Sequence, residues 1–257
     1  MRRNAVAVAC GCLVAGVLAA GWALAGLAGL TGVCSLLLAA WWLAYFLSER
    51  RLLVPLGARP VTEVERPGLF RLVKELATEA RVPVPRLFVC PWAQPNSLVV
   101  GCTARTAALC VTDGLLAALS PSELRAVVAH ELAHIRRRDM TLSTLAGYYA
   151  SLVLWVPFLA PAAALLVRVG AHPSREYSAD MDGALLIGAP LDMASALRIV
   201  EAGARTDPAR FQRRVAAVAH LLLVNPFDPG GLPGLFDTHP PTGERLRRLE
   251  SLAGYRR

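Results

Sequence analysis

"VVAHELAHIRRRDM", Val127–Met140, decides how the rest of the chain is read. It carries two histidines four residues apart, a glutamate directly after the first, three arginines, and the start of an apolar run. The preceding "SPSE" sets the local structure: Ser120 suits an N-cap, Pro121 the first helical position, and Glu123 completes a capping box. Residues four apart share a helix face, so His130 and His134 project their imidazoles in one direction. Two ring nitrogens so placed can hold one zinc ion. Glu131 then stands near the open side of the metal, where a carboxylate can take a proton from water. A catalytic zinc takes three protein ligands. Downstream, "REYSADMDGA" offers Glu176, Asp180 and Asp182. Glu176 and Asp180 also share a helix face. One can bind the metal while the other holds the far nitrogen of a ligand histidine. Asp139 is off the ligand face and reads as a helix-end contact. His172 and His220 stand in no motif and read as ordinary exposed or core histidines.

Outward from this motif, the chain is apolar and basic: 257 residues, 55% hydrophobic, net charge +8. No charged residue occurs from Ala5 to Leu47, nor from Met140 to Val167. About 20 apolar residues cross a bilayer core, and the first run is roughly twice that. "GLAGLTG", Gly26–Gly32, offers a turn, giving two spans at Ala5–Ala25 and Val33–Leu47. A signal peptide ending at Ala23–Ala25 is the competing reading. Arg2 and Arg3 precede the run and Arg50 and Arg51 follow it, which places both flanks on the cytoplasmic side. Arg136–Arg138 would lie at lipid headgroups; Arg245, Arg247 and Arg248 read as a solvated helix face. No nucleic-acid motif stands out, so the positive charge is assigned to the membrane rather than to DNA or RNA. The six cysteines form no C-x-x-C pair, which excludes a zinc ribbon or a disulfide framework and leaves reduced thiols.

The periodicity predicts a helix over "GLFRLVKELATEARV", short strands at "PVPRLFVC", "NSLVVGC" and "TAALCVTDGLL", and helices through "PSREYSADMDGALLIGA", "DMASALRIVEAGA", "PARFQRRVAAVAHLLLV" and "ERLRRLESLAG". The expected organisation is an N-terminal transmembrane hairpin (1–50), the first part of a catalytic domain (51–139), an apolar helical hairpin (140–169) and the second part of the domain (170–257). The second hairpin follows from an argument of sides. A single crossing between His134 and Glu176 would put the two on opposite faces of the membrane, so the run must return, near Pro157–Pro161. The fold class is mainly α with a small β-sheet.

"HELAHIRRRDM" followed after an apolar insert by "SREYSAD" resembles the HtpX-type membrane zinc metalloproteases, relatives of the type I CAAX prenyl proteases of the gluzincin type. "PNSLVVG", Pro95–Gly101, is similar to that family's edge strand, and "THPPTGERLRRL", Thr238–Leu249, to its late H-P-x-x-x-x-R element. The resemblance implies one zinc per chain on His130, His134 and Glu176, with Glu131 as general base and Asp180 orienting a ligand histidine. It implies that Asn96, Ser97, Leu98 and Val99 hold a substrate backbone, and that His239 and Arg245 stabilise the oxyanion. It further implies polypeptide substrates, membrane or unfolded proteins among them. A membrane signal transducer and an inactive scaffold are the other readings; the first would need an extracellular ligand domain, and few residues separate the spans.

Overall fold

The computed structural model describes residues 2–206, 213–227 and 236–254, in two units that meet at Leu47 and Ser48. The N-terminal unit belongs to helix α1 (Arg2–Leu53), which is broken at Ala25 (φ −144°, ψ 22°) and Gly26 (φ 55°, ψ −136°). Gly26 takes a left-handed backbone that only glycine adopts freely. The chain folds back there: a Cβ added to Gly21 would lie 2.9 Å from the Gly29 carbonyl oxygen and 2.8 Å from Val33. Along a straight helix Gly21 and Gly29 would stand about 12 Å apart. The reversal needs two residues, not the seven-residue loop expected, so each arm is longer than its predicted span. Trp22, Leu24, Leu27, Leu36, Trp41 and Trp42 are exposed on the arms.

The second unit begins at Ser48 and is built on a four-stranded sheet: β1 (Arg59–Pro60), β2 (Arg86–Cys90), β3 (Ser97–Val100) and β4 (Ala108–Thr112). The order is β1-β2-β4-β3, with β2 and β4 parallel and the outer pairs antiparallel. The two-residue β1 lies in what the sequence presents as a linker. Helix α2 (Pro67–Ala80) buries Leu69, Val73, Leu76 and Ala77, the predicted apolar face. Helix α3 (Asp113–Ala118) is capped by the Thr112 hydroxyl.

Helix α4 (Pro121–Arg137) carries the histidines through the centre of the unit. The capping box forms as expected: the Glu123 N–H donates to Ser120 Oγ at 3.4 Å, and the Ser120 N–H donates to Glu123 Oε2 at 2.9 Å. Val127, Val128 and Leu132 are fully buried, in one apolar core with α2, the sheet and α8 (Pro190–Thr206). Helices α5 (Met140–Val153) and α6 (Ala160–Gly170) follow, joined by a short turn, and pack on each other. The Ser143 hydroxyl donates to the Gly170 carbonyl at 2.9 Å. Helix α7 (Pro173–Ile187) then runs against α4. The expected helix from Pro208 to Val224 is interrupted among its described residues. Its first five residues lie outside the described ones; among the rest, α9 covers Arg213–Ala216, a 3-10 turn covers Ala219–Leu221, and Leu222 forms an isolated bridge with Leu98 of β3. Helix α10 (Thr242–Gly254) closes the chain against α7 and α8.

The α4–α7 crossing depends on Gly183. A Cβ there would meet the His130 backbone nitrogen at 2.8 Å and its Cα at 3.0 Å. Backbone cannot give way as a flexible side chain can, so Gly183→Ala must push α7 outward at about 1–3 kcal/mol. The midpoint of thermal unfolding in detergent should fall by about 2–10 °C. Gly68→Ala, where the new Cβ meets nothing within 4 Å, should leave the midpoint unchanged or raise it slightly.

Candidate metal centre

Helix geometry brings the two motif histidines together as the i, i+4 argument requires. Their Nε2 atoms face each other at 3.2 Å. Across the crossing, α7 places Glu176 Oε2 3.7 Å from His130 Nε2 and Oε1 3.6 Å from His134 Nε2. A tetrahedral zinc with bonds of about 2.0–2.2 Å has ligand-to-ligand edges of about 3.3–3.6 Å. The two nitrogens lie about 0.1 Å below the lower limit, and Glu176 offers one oxygen to each histidine at or about 0.1 Å beyond the upper limit. The three donor sets form the one such cluster among the described residues.

The outer nitrogens of the same rings each face a carboxylate. Nδ1 of His130 lies 2.9 Å from Asp180 Oδ1, and Nδ1 of His134 lies 2.9 Å from Asp139 Oδ1. Asp139 holds a proton at Nδ1 of His134, which leaves its Nε2 lone pair for a metal, while Nδ1 of His130 has Asp180 beside it as an ion-pair neighbour without an aligned hydrogen bond. Without a metal, burial works against protonation of His134, but Asp139 and Glu176 override it and push its pKa up to about 9. A metal ion therefore displaces a proton when it binds there.

Asp139 is more than a helix-end contact. Helix α4 ends at Arg137, and Arg138 takes a left-handed backbone (φ 57°, ψ 24°). That reversal swings the Asp139 carboxylate back under His134. Asp180 sits one helical turn after Glu176, 3% exposed, and receives two hydrogen bonds of 2.7 Å from Arg245 Nε and Nη2. Burial raises its pKa, but the guanidinium and the His130 ring hold the carboxyl well below the usual range. Glu176 behaves alike: burial opposes its charge, and His134, Arg245 and His130 outweigh it. Arg245 is thus no part of a solvated face. It is 1% exposed, its remaining Nη1 donates to the Leu223 carbonyl at 2.8 Å, and its Nη2 stands 3.6 Å from Glu176. Arg247 and Arg248 do pair with Glu244 on the surface. Arg136 and Arg137 pair with Asp182.

Glu131 is 2% exposed and accepts a 2.6 Å hydrogen bond from the Ser97 hydroxyl. Burial raises its pKa against the pull of the two histidines. Asn96, Ser97, Leu98 and Val99 are all buried. The outer edge of β3 is taken by the chain itself: the Leu223 N–H donates to the Ser97 carbonyl at 2.9 Å, and Leu98 pairs with Leu222. The Asn96 side chain clamps Val224 at both main-chain groups, its Nδ2 donating to the carbonyl at 2.8 Å and its Oδ1 accepting from the N–H at 3.3 Å. The substrate-holding edge expected at Asn96–Val99 is therefore covered at Ser97 and Leu98 by Leu222–Val224.

On the other side of the metal centre a cavity opens between His134, Glu176, Ser143, His172, His220, Thr238 and His239. His239 Nε2 donates to the Ala219 carbonyl at 3.0 Å. Burial, the largest effect, keeps this ring below the usual histidine pKa. As placed it turns Nδ1, an acceptor, away from that carbonyl. His172 accepts from the Ser174 N–H as the N-cap of α7.

The chain matches peptidase family M48 over residues 63–253. A "Protease HtpX homolog" of Kineococcus radiotolerans is 40% identical over 243 residues, 83% of each chain. A protein of the same description from Paenarthrobacter aurescens is 36% identical over 233 residues, 82% of this chain and 81% of that one. The crystal structure of S. mikatae Ste24p superposes with a TM-score of 0.51 at 16% identity, covering 96% of this chain and 64% of the other, a likeness of fold. With its paired histidines and a glutamate from a second helix meeting at one point, this chain belongs to peptidase family M48 and is a metallopeptidase.

Proposed function

We propose that the protein is an integral-membrane zinc endopeptidase that binds one zinc ion per chain through His130 Nε2, His134 Nε2 and Glu176. The observation that carries this reading is the 3.2 Å approach of two Nε2 atoms whose opposite nitrogens each face a carboxylate. Without a metal the His134 proton occupies this point, and a cation that displaces it gains two ring nitrogens and the Glu176 carboxylate at once. When bound, zinc polarises a peptide carbonyl and makes water acidic enough to attack near neutral pH.

The rest falls to this chain's own side chains. Glu131 accepts the proton of the attacking water and passes it to the departing amine. Its burial and the Ser97 hydroxyl hold the carboxylate in one orientation. Asp139 and Asp180 fix the ligand rings. Arg245 acts at a distance, positioning Asp180, because its donors are turned to Asp180 and Leu223. His239 stands beside the centre and meets the substrate there.

The two arms of α1 are each long enough to cross a bilayer at about 1.5 Å per residue, and their exposed apolar surface suits lipid. The connection between α5 and α6 exposes Phe158, an apolar side chain, and Trp155, a residue type that favours the membrane interface. Arg51, just past the apolar span, donates to Ser151 Oγ at 3.0 Å and stands over the Trp155 ring. Arg2 and Arg3 before the apolar run and Arg50 and Arg51 after it favour a cytoplasmic catalytic face. Substrates are membrane or misfolded polypeptides reached at that surface, a quality-control task.

Glu131→Gln keeps the shape of the side chain and removes the base. The purified variant should hold about one zinc per chain while cleavage of an unfolded protein falls by orders of magnitude. Retained turnover would mean another group deprotonates the water. For topology, a cysteine replacing Ala171 in a chain whose six native cysteines are changed to serine should react with an impermeant thiol reagent in inverted vesicles only. Labelling from outside intact cells would contradict both the orientation and a Glu176 that shares a metal with His134.

A further inference from the structure

We propose that His220 is a substrate-contact residue, its Nδ1 accepting a hydrogen bond from a main-chain N–H of the bound peptide beside the metal centre. The inference rests on the peptidase reading above and names how the peptide is held. His220 is 5% exposed and lines the cavity together with His134 and Glu176. Its Nε2–H is committed to the Ser143 carbonyl at 2.9 Å. That bond fixes the tautomer, so Nδ1 carries a lone pair, and this buried atom has no partner among the described residues. A buried acceptor left unpaired costs about 1–3 kcal/mol, which a ligand bearing a donor recovers. His220 is not in the cluster of His130, His134 and Glu176, whose donor atoms lie within 4.8 Å of one another.

His239 repeats the pattern. Its Nε2–H goes to the carbonyl of Ala219, the residue before His220, and its Nδ1 is likewise buried and unpaired. His220, His239 and Thr238 all line the one cavity at the metal, and each has a buried side-chain atom with no partner among the described residues. The donor a polypeptide of any sequence brings to such a site is its own N–H. The strand side gives the same answer by its occupancy. Leu222–Val224, directly after His220, already satisfies the Ser97 carbonyl and the Asn96 amide. The segment that covers the β3 edge also carries His220, whose Nδ1 remains without a partner among the described residues, into the lining of the cavity. A peptide recognised there is held by main-chain donors, whatever its side chains.

Replacing one peptide N–H by an ester oxygen removes one donor and leaves the shape. The test uses zinc-loaded full-length Glu131→Gln protein in detergent, which binds without cleaving, and a fluorescein-labelled casein peptide with each amide in turn made an ester. Binding is read by fluorescence anisotropy. One ester position should bind about three- to tenfold more weakly, the worth of one hydrogen bond. Adding His220→Gln should weaken the all-amide peptide by a similar factor and abolish the penalty at that position. The glutamine Nε2 can still donate to the Ser143 carbonyl, so the packing tether is kept while the Nδ1 acceptor is lost. Ester penalties unchanged by His220→Gln would overturn the inference. So would loss of zinc from that variant, which would make His220 a ligand. Failure of the all-amide peptide to bind would instead overturn the peptidase reading, and this inference with it.

Discussion

The carboxylate of Asp180 is the contact on which the rest of the site depends. It is buried, it takes two short hydrogen bonds from Arg245, and it faces Nδ1 of His130. Three helices, α4, α7 and α10, meet at that group. Removing one partner from a buried pair of this kind costs about 3–5 kcal/mol, because the other charge is left in a medium that cannot solvate it. The same Arg245 reaches the Leu223 carbonyl, so the segment over the β3 edge is tied to the same point. Gly183 lets α7 approach closely enough for all of this, since no side chain fits between it and the His130 backbone.

The apolar insert now has a physical role. Between His134 and Glu176 the chain leaves along α5 and returns along α6, and the returning end is pinned to the departing one. Ser143 donates to the Gly170 carbonyl, and Arg175 Nη1 donates to the same carbonyl at 2.7 Å and to that of Asp139 at 3.3 Å. The third ligand thus enters the site at a fixed height relative to the second histidine. The cavity beside the site lies at this same junction, lined by Ser143, Ala171 and Arg175 as well as by His134 and Glu176.

Much of this was legible in the sequence, for reasons that differ residue by residue. His130 and His134 followed from helical spacing, and the helix itself from Ser120, Pro121 and Glu123. Glu176 and Asp180 shared a face by the same rule, but their division of roles came from resemblance, because spacing alone cannot say which carboxylate reaches the metal. Asp139 was hidden by the left-handed turn at Arg138, a backbone reversal that no periodicity reports. Arg245 looked like one of several surface arginines by charge pattern, and the resemblance alone drew it to the site; its burial against Asp180 gives it a positioning contact there. Leu222–Val224 read as helix because Leu and Val runs suit either state, and pairing with β3 decided between them. His220 carried no motif, and its one signal, an unpaired buried nitrogen, exists only in three dimensions.

Zinc K-edge X-ray absorption on the purified, zinc-loaded protein tests the central claim most directly, because it reads the donor atoms themselves. The account predicts a shell of four light donors, two of them imidazoles at about 2.0–2.1 Å and the rest oxygens at about 2.0–2.2 Å, with no sulfur. A sulfur shell near 2.3 Å would contradict it, as would imidazole scattering that requires three or more histidines on the metal.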